Sequence, residues 1–220
     1  MICREIKRVT LFCGHYGSGK TSIAVQYARE LKKEGKETAF ADLDIVNPYF
    51  RGADSGELMK SEGIEVVALP FANSNIDLPA LPSEVYSLAQ RRDKYAVFDI
   101  GGDDRGAYAL GRFTPYILEE NNYNMLFVVN FCRPLTQTAA AALEVMREIE
   151  LACGIAVTGI VNNTNLGRDT TAELVDGSRE EAERLALTAG VPLYMTSVKS
   201  GISAAGEDIF AIELRQGFIL

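Results

Sequence analysis

Residues Gly14, His15, Tyr16, Gly17, Ser18, Gly19, Lys20 and Thr21 read GHYGSGKT and are followed by Ser22. The pattern GxxxxGK[ST] suits one chemistry above others, the holding of phosphate. Its glycines let the backbone turn so tightly that successive N–H groups face one centre. A lysine at the end of such a turn reaches β- and γ-phosphate oxygens, and the next hydroxyl is placed to ligate Mg2+. Lys20 and Thr21 are assigned those roles, and the whole run from Gly14 to Ser22 is assigned to a nucleotide. Two residues are unusual in it. His15 is the only histidine of the chain, and the bulky Tyr16 follows it.

Two acidic segments complete the candidate chemistry. One apolar run ends in Ala41-Asp42-Leu43-Asp44 and another in Phe98-Asp99-Ile100-Gly101-Gly102-Asp103. Asp99, at the tip of its run, is the carboxylate expected to hold Mg2+ opposite Thr21. Gly101 and Gly102 let backbone N–H groups approach a γ-phosphate and let the segment move on hydrolysis. Asp42 and Asp44 are two apart and share one face of a strand. Asp42 is the candidate to steady the metal's shell, and Asp44 the candidate to orient an attacking water.

The elements that must position these groups follow from hydropathy. Apolar, β-rich runs occupy 9–13, 38–42, 64–69, 95–100, 124–130, 158–162 and 191–197, with amphipathic stretches at 21–34, 83–92, 136–153 and 170–189. Continuous apolar runs alternating with helices predict an α/β fold with a doubly wound, mainly parallel sheet of about seven strands and helices on both faces. This is the Rossmann-like, three-layer arrangement of a P-loop NTPase. Without linker, repeat or low-complexity segment, residues 1–220 are expected to form one nucleotide-binding domain. The segments 47–56 and 71–82 (FANSNIDLPALP) are irregular and leave the carboxyl ends of strands, the edge where open α/β sheets bind ligands.

The 220 residues carry a net charge of −8, which speaks against broad nucleic-acid binding. No apolar run is long enough to span a bilayer and no signal peptide precedes the first strand, so a cytoplasmic location is expected. Cys3, Cys13, Cys132 and Cys153 form no CxxC pair and are expected to be reduced thiols.

The segments GHYGSGKTS, ADLDIVNP, VFDIGGD and TGIVNNTN together resemble the MinD/ParA/CobQ-type P-loop NTPases of the SIMIBI class, over roughly 9–196. The resemblance implies Mg-ATP binding, slow hydrolysis and, often, an ATP-dependent dimer facing across the nucleotides. It matches Lys20 to the phosphate-binding lysine, Thr21 to the metal-binding threonine, Asp44 to the water-activating aspartate and Asp99 to the Walker B aspartate. Asn162 or Asn163 matches an asparagine that reads adenine, and the segment 192–197 matches the part beside the base. The MinD/ParA branch carries a second lysine early in the loop, which reaches the partner's phosphates across the dimer. Here that slot holds His15, and the glycine slot after it holds Tyr16. Other cations in switch-like loops are Arg51, Arg105, Arg112 and Arg133.

A slow ATPase that switches a homodimer or protein partner is the function expected. The alternatives are an ATP-dependent small-molecule enzyme, either a kinase or a ligase like dethiobiotin synthetase or cobyrinate amidase, and a non-hydrolysing regulatory module. Residues 44–51, with Tyr49, Phe50 and Arg51, and residues 103–106 are the switch candidates, and 71–82 is a candidate substrate or partner loop. A basic, membrane-binding C-terminal helix is not expected, because 207–220 holds one arginine against three acids. That segment is read as docking on the sheet or a partner.

Overall fold

The computed structural model describes residues 5–44, 53–68, 83–101 and 110–213. Eight strands form one sheet: β1 (Val9–Cys13), β2 (Thr38–Leu43), β3 (Glu65–Ala68), β4 (Tyr95–Ile100), β5 (Tyr123–Val129), β6 (Gly159–Asn162), β7 (Leu193–Lys199) and β8 (Ile209–Ile212). Their order is β3-β2-β4-β1-β5-β6-β7-β8, and every neighbouring pair is parallel. The six described helices are α1 (Lys20–Lys33), α2 (Ala53–Ser61), α3 (Ser83–Gln90), α4 (Thr114–Glu120), α5 (Ala139–Cys153) and α6 (Ala172–Ala189).

The sheet is parallel because its strands are apolar on both faces. All five residues of β1 are buried, as are six of the seven in β5. Alternate side chains feed two cores. Leu11, Phe98 and Phe127 pack on one face under Val85 of α3, Ile117 of α4 and Met146 of α5. Phe12, Phe40 and Val97 pack on the other under Ile23 and Tyr27 of α1 and Met59 of α2. The helices therefore cover both faces, and the fold is the three-layer P-loop NTPase arrangement.

The winding reverses at β1, whose neighbours are β4 on one side and β5 on the other. Ligands of doubly wound sheets bind at such a reversal, beyond the carboxyl ends of the strands. The segment following β1 is the glycine-rich loop.

The structure departs from expectation in a few places. It has an eighth strand, β8, built from the start of the segment expected to dock on the sheet. Ile209, Phe210, Ala211 and Ile212 pair in register with residues 196–199 of β7. α2 takes up the end of the 47–56 loop, and α4 lies where the periodicity is too short to read. α5 starts at Ala139 rather than near 136, because Pro134–Thr136 forms a 3-10 turn and the Thr138 hydroxyl caps the helix at Ala141 N. Residues 45–52, 69–82, 102–109 and 214–220 lie outside the described residues, and with them Arg51, Gly102, Asp103, Arg105 and the substrate-loop candidate. Cys3 also lies outside. No described helix is long and apolar enough to cross a membrane.

Candidate functional site

The phosphate loop is shaped by what it passes. Gly14 has φ 152°, and a Cβ there would sit 2.4 Å from the Val128 carbonyl oxygen of β5. No other residue fits so close an approach of backbone to backbone. Ser18 N–H then donates to His15 O at 3.1 Å, closing the turn. Gly19 takes the left-handed region (φ 82°) at the start of α1 and offers no side-chain cap. α6 is different: the Thr171 hydroxyl accepts from Leu174 N, as Thr138 does for α5. The first N–H groups of α1, with no side-chain cap and a glycine-rich turn before them, are available to an anion.

Strand periodicity delivers the carboxylates to the same end. Asp42 pairs in register with Asp99, which pairs with Phe12. Asp99 follows Val97 by two and Asp42 follows Phe40 by two, so both carboxylates continue the face that α1 covers. Thr21, in the first turn of α1, donates its hydroxyl to Asp99 Oδ2 at 2.5 Å. Asp42 Oδ1 accepts from Asp44 N at 3.0 Å, a turn that fixes the direction of Asp44. Asp44 Oδ2 then lies 3.7 Å from Lys20 Nζ, with both side chains buried. Lys20 and Thr21 from α1, Asp42 and Asp44 from the end of β2, and Asp99 from β4 are thus drawn together.

Asp99 is fully buried, and its Oδ1 has no hydrogen-bond partner. Burial pushes its carboxyl up from the usual 3.8 to about 6, against the pull of Lys20 and the Thr21 hydrogen bond, with Asp44 adding to the rise. A buried carboxylate with an orphaned oxygen beside a threonine hydroxyl fits Mg2+, which is commonly bound by one or two carboxylates together with substrate phosphates. No group of three or more His, Cys, Asp or Glu side chains able to hold a metal occurs among the described residues, so a purely protein-built metal cage is not what these residues form. The thiols of Cys13 and Cys153 are buried, and burial pushes Cys153 up to about 12, which disfavours the thiolate a metal needs.

His15 Nδ1 bonds Tyr16 O at 2.9 Å, and because a carbonyl only accepts, the ring nitrogen is the donor. Tyr16 is 65% exposed. Among the alternative cations, Arg133 reaches the loop: its Nε donates to Gly17 O at 2.9 Å. Arg112 does not. It follows Gly111, which lies against the carbonyls of Ala152 and Cys153 at the far end of α5 and the opposite edge of the sheet.

On the other side of β1, beyond β6 and β7, is a small, open cavity lined by Asn163, Asn165, Ser197, Lys199 and Ile212 among others. Asn163 ties it to the phosphate loop, donating from Nδ2 to Ser18 O at 2.6 Å and accepting at Oδ1 from the Ser197 hydroxyl. Asn162 is turned away, with its amide bonded to Ser178 of α6 and to Thr164. Of the two asparagines, Asn163 is therefore the one that lines the cavity. Pro192 precedes β7 at its amino end, so from the segment 192–197 it is Ser197 that reaches the cavity, joined by Lys199. Lys199 and Asn165 were missed by sequence reasoning. Their signal was position alone, each just beyond or at the carboxyl end of a strand.

No protein-family model and no curated protein matches the sequence. Solved structures do match in fold. Cell division protein FtsY from Thermotoga maritima superposes with a TM-score of 0.61 at 19% identity, over 94% of this chain and 65% of that one. Chloroplast FtsY from Physcomitrella patens gives 0.60 at 20%, over 94% and 62%. Signal recognition particle receptor FtsY from Elizabethkingia anophelis, in complex with GDP, gives 0.54 at 17%, over 89% and 58%. The chain spans less than two thirds of the length of these neighbours. Identities at this level establish a shared fold alone, the parallel α/β sheet with its P-loop.

Proposed function

We propose that this chain is a Mg-nucleoside triphosphate switch of the SIMIBI class, of the MinD/ParA/CobQ type with His15 in the signature lysine slot, and that it hydrolyses its nucleotide slowly. The observation that carries the reading is the convergence of Thr21, Asp99 and its orphaned Oδ1, Lys20 and Asp44 at the uncapped start of α1. Loop N–H groups and Lys20 hold the β- and γ-phosphates. Thr21 and Asp99 would hold Mg2+, which supplies charge neutralisation at those oxygens. Asp44 accepts a hydrogen bond from the attacking water and orients it at the γ-phosphorus. Asp44 Oδ2 lies 3.7 Å from Lys20 Nζ, so phosphates that take up the Lys20 ammonium compete with this carboxylate for it.

The base we propose is adenine. Guanine presents two N–H donors on its pairing edge and calls for a carboxylate, whereas adenine presents a donor beside an acceptor and suits an amide. The described lining of the cavity holds two amides and no acid. Asn163 and Asn165 each spend one acceptor site and one N–H on internal bonds, and each amide has a second of both to offer. The GDP of the Elizabethkingia receptor favours guanine as the second reading.

A protein partner or second copy is proposed for the nucleotide edge. The loops after β1, β5 and β6, three adjacent strands, expose Tyr16 (65%), Leu135 (57%) and Leu166 (52%). His15, in the slot of the cross-dimer lysine, leaves that face without the usual reaching cation.

The test is nucleotide titration and light scattering on wild type and Asp44→Ala with Mg2+. ATP binding by both proteins, turnover by wild type only, and ATP-dependent association support the reading. Preference for GTP overturns the choice of base. Unchanged turnover in Asp44→Ala overturns its role, and turnover only with an added metabolite favours the kinase or ligase.

A further inference from the structure

The cation that touches the phosphate loop from outside it is Arg133. Its Nε donates to Gly17 O at 2.9 Å. Its Nε, Cδ and Cζ lie 3.6 to 3.9 Å from where a Gly17 side chain would begin, so the guanidinium covers the crown of the loop. Its two Nη groups make no hydrogen bond or ion pair among the described residues. A half-buried guanidinium with only one of its donors used is prepared for an anion or an oxygen-rich ligand.

The loop that carries it is held in place at both ends. Asn130, fully buried at the end of β5, accepts at Oδ1 from Cys132 N at 2.9 Å, and its carbonyl accepts from Arg133 N and from the Thr136 hydroxyl. The same Asn130 donates from Nδ2 to Asn165 O at 3.1 Å, and Phe131 N donates to the Thr164 hydroxyl at 3.2 Å. Arg133 and the wall of the cavity are therefore parts of one hydrogen-bonded unit.

Strand order decides which end of a nucleotide it meets. Asp99 and Asp44 stand on the β4 and β2 side of β1, whereas Arg133 follows β5 and the cavity follows β6 and β7. The γ-phosphate must lie by the carboxylates. A group on the β5 side then lies over the stretch between the phosphate loop and the base.

We infer that Arg133 is a nucleotide-binding residue acting in cis, contacting the α-phosphate and sugar and bridging the phosphate loop to the base cavity. It is a ground-state contact and not a stand-in for the cross-dimer lysine. This rests on the nucleotide reading above, and wild-type binding tests that reading separately.

The experiment measures affinities of wild type, Arg133→Ala and Arg133→Lys for ADP, ATP and inorganic tripolyphosphate, with kcat for ATP and melting of the unliganded proteins. Losing charge-assisted bonds is expected to weaken ADP and ATP about tenfold each in Arg133→Ala. Tripolyphosphate, which has a phosphate at the α position but no sugar, should lose clearly less than ADP, and kcat at saturating ATP should fall less than affinity does. Arg133→Lys should restore little, because an ammonium lacks the fork that holds Gly17 O and a ligand together. Four results overturn the inference: unchanged ADP affinity; a tenfold fall in kcat with binding intact; equal loss for tripolyphosphate; or full rescue by lysine, which would leave only a tether to the loop. A wild type that binds no nucleotide overturns the parent reading instead. Unliganded melting temperatures that match across the three proteins exclude misfolding as the cause, and a variant that melts early is replaced by Arg133→Gln.

Discussion

Asp99→Asn separates the burden of burying a carboxylate from the use made of it. Asp99 is fully buried and its carboxyl is raised from 3.8 to about 6, mainly by burial. A group that binds its proton more tightly when folded contributes stability below its unfolded value, and that stability is lost as pH rises through the folded one. The window here runs from about pH 4 to about pH 6. Between pH 5 and pH 7 the linkage relation gives a loss on the order of 1 kcal/mol from this residue alone. Asparagine keeps an acceptor for the Thr21 hydroxyl and carries no titrating proton. Urea unfolding in EDTA at pH 5 and pH 7 is the assay. Wild type should lose about 1 kcal/mol more than Asp99→Asn over that interval, because the other titrating groups are common to both. With Mg2+ and nucleotide at pH 7 the ordering should reverse, since only wild type gains stability from the bound complex. Equal pH slopes in the two proteins would refute the account of Asp99 as a carboxylate held under strain for a cation.

Two further outcomes follow from the same geometry. Gly14→Ala should destabilise the fold by about 2–4 kcal/mol, from an unfavourable φ together with a methyl forced against Val128 O. It should also displace the loop enough to lose most nucleotide affinity, measured by urea unfolding and by titration. Thr171→Ala, which removes the side-chain cap of α6, should cost about 1 kcal/mol in unfolding free energy, measured by urea unfolding.

The legible part of the chain was the part written in short-range pattern. GHYGSGKT between an apolar strand and an amphipathic helix required a phosphate loop, and the structure has Gly14 against Val128 and Gly19 left-handed at the start of α1. The carboxylates were legible because each ends an apolar strand, so strand periodicity alone carries them to one edge. What escaped was set by long-range pairing. Whether 209–212 is a strand depends on the open edge of β7, which no local pattern reports. Asn162 and Asn163 are equivalent as letters, and only the packing of α6 against β6 sends the first to Ser178 and leaves the second to the cavity. Arg112 and Arg133 are likewise both arginines in loops. Their difference is that one loop leaves the carboxyl edge of β5, while the other meets the carboxyl end of α5 at the opposite edge.

The position of β1 explains why the site divides as it does. Its two neighbours come from distant parts of the sequence, β4 from one half of the winding and β5 from the other. The carboxylates proposed to act at the terminal phosphate all descend from the β4 side: Asp99 directly, and Asp42 and Asp44 through β2. Everything that could distinguish one nucleoside from another descends from the β5 side: Arg133, Asn163, Asn165, Ser197 and Lys199. The phosphate loop touches both, through Thr21 to Asp99 and through Gly17 and Ser18 to Arg133 and Asn163. A shift of the loop by a fraction of an ångström on filling therefore has to be felt on both sides at once. The Lys20–Asp44 pair at 3.7 Å is the contact such a shift must break first, because the phosphates compete for the same ammonium. Nucleotide binding in this protein should accordingly depend little on Asp44, while turnover depends on it.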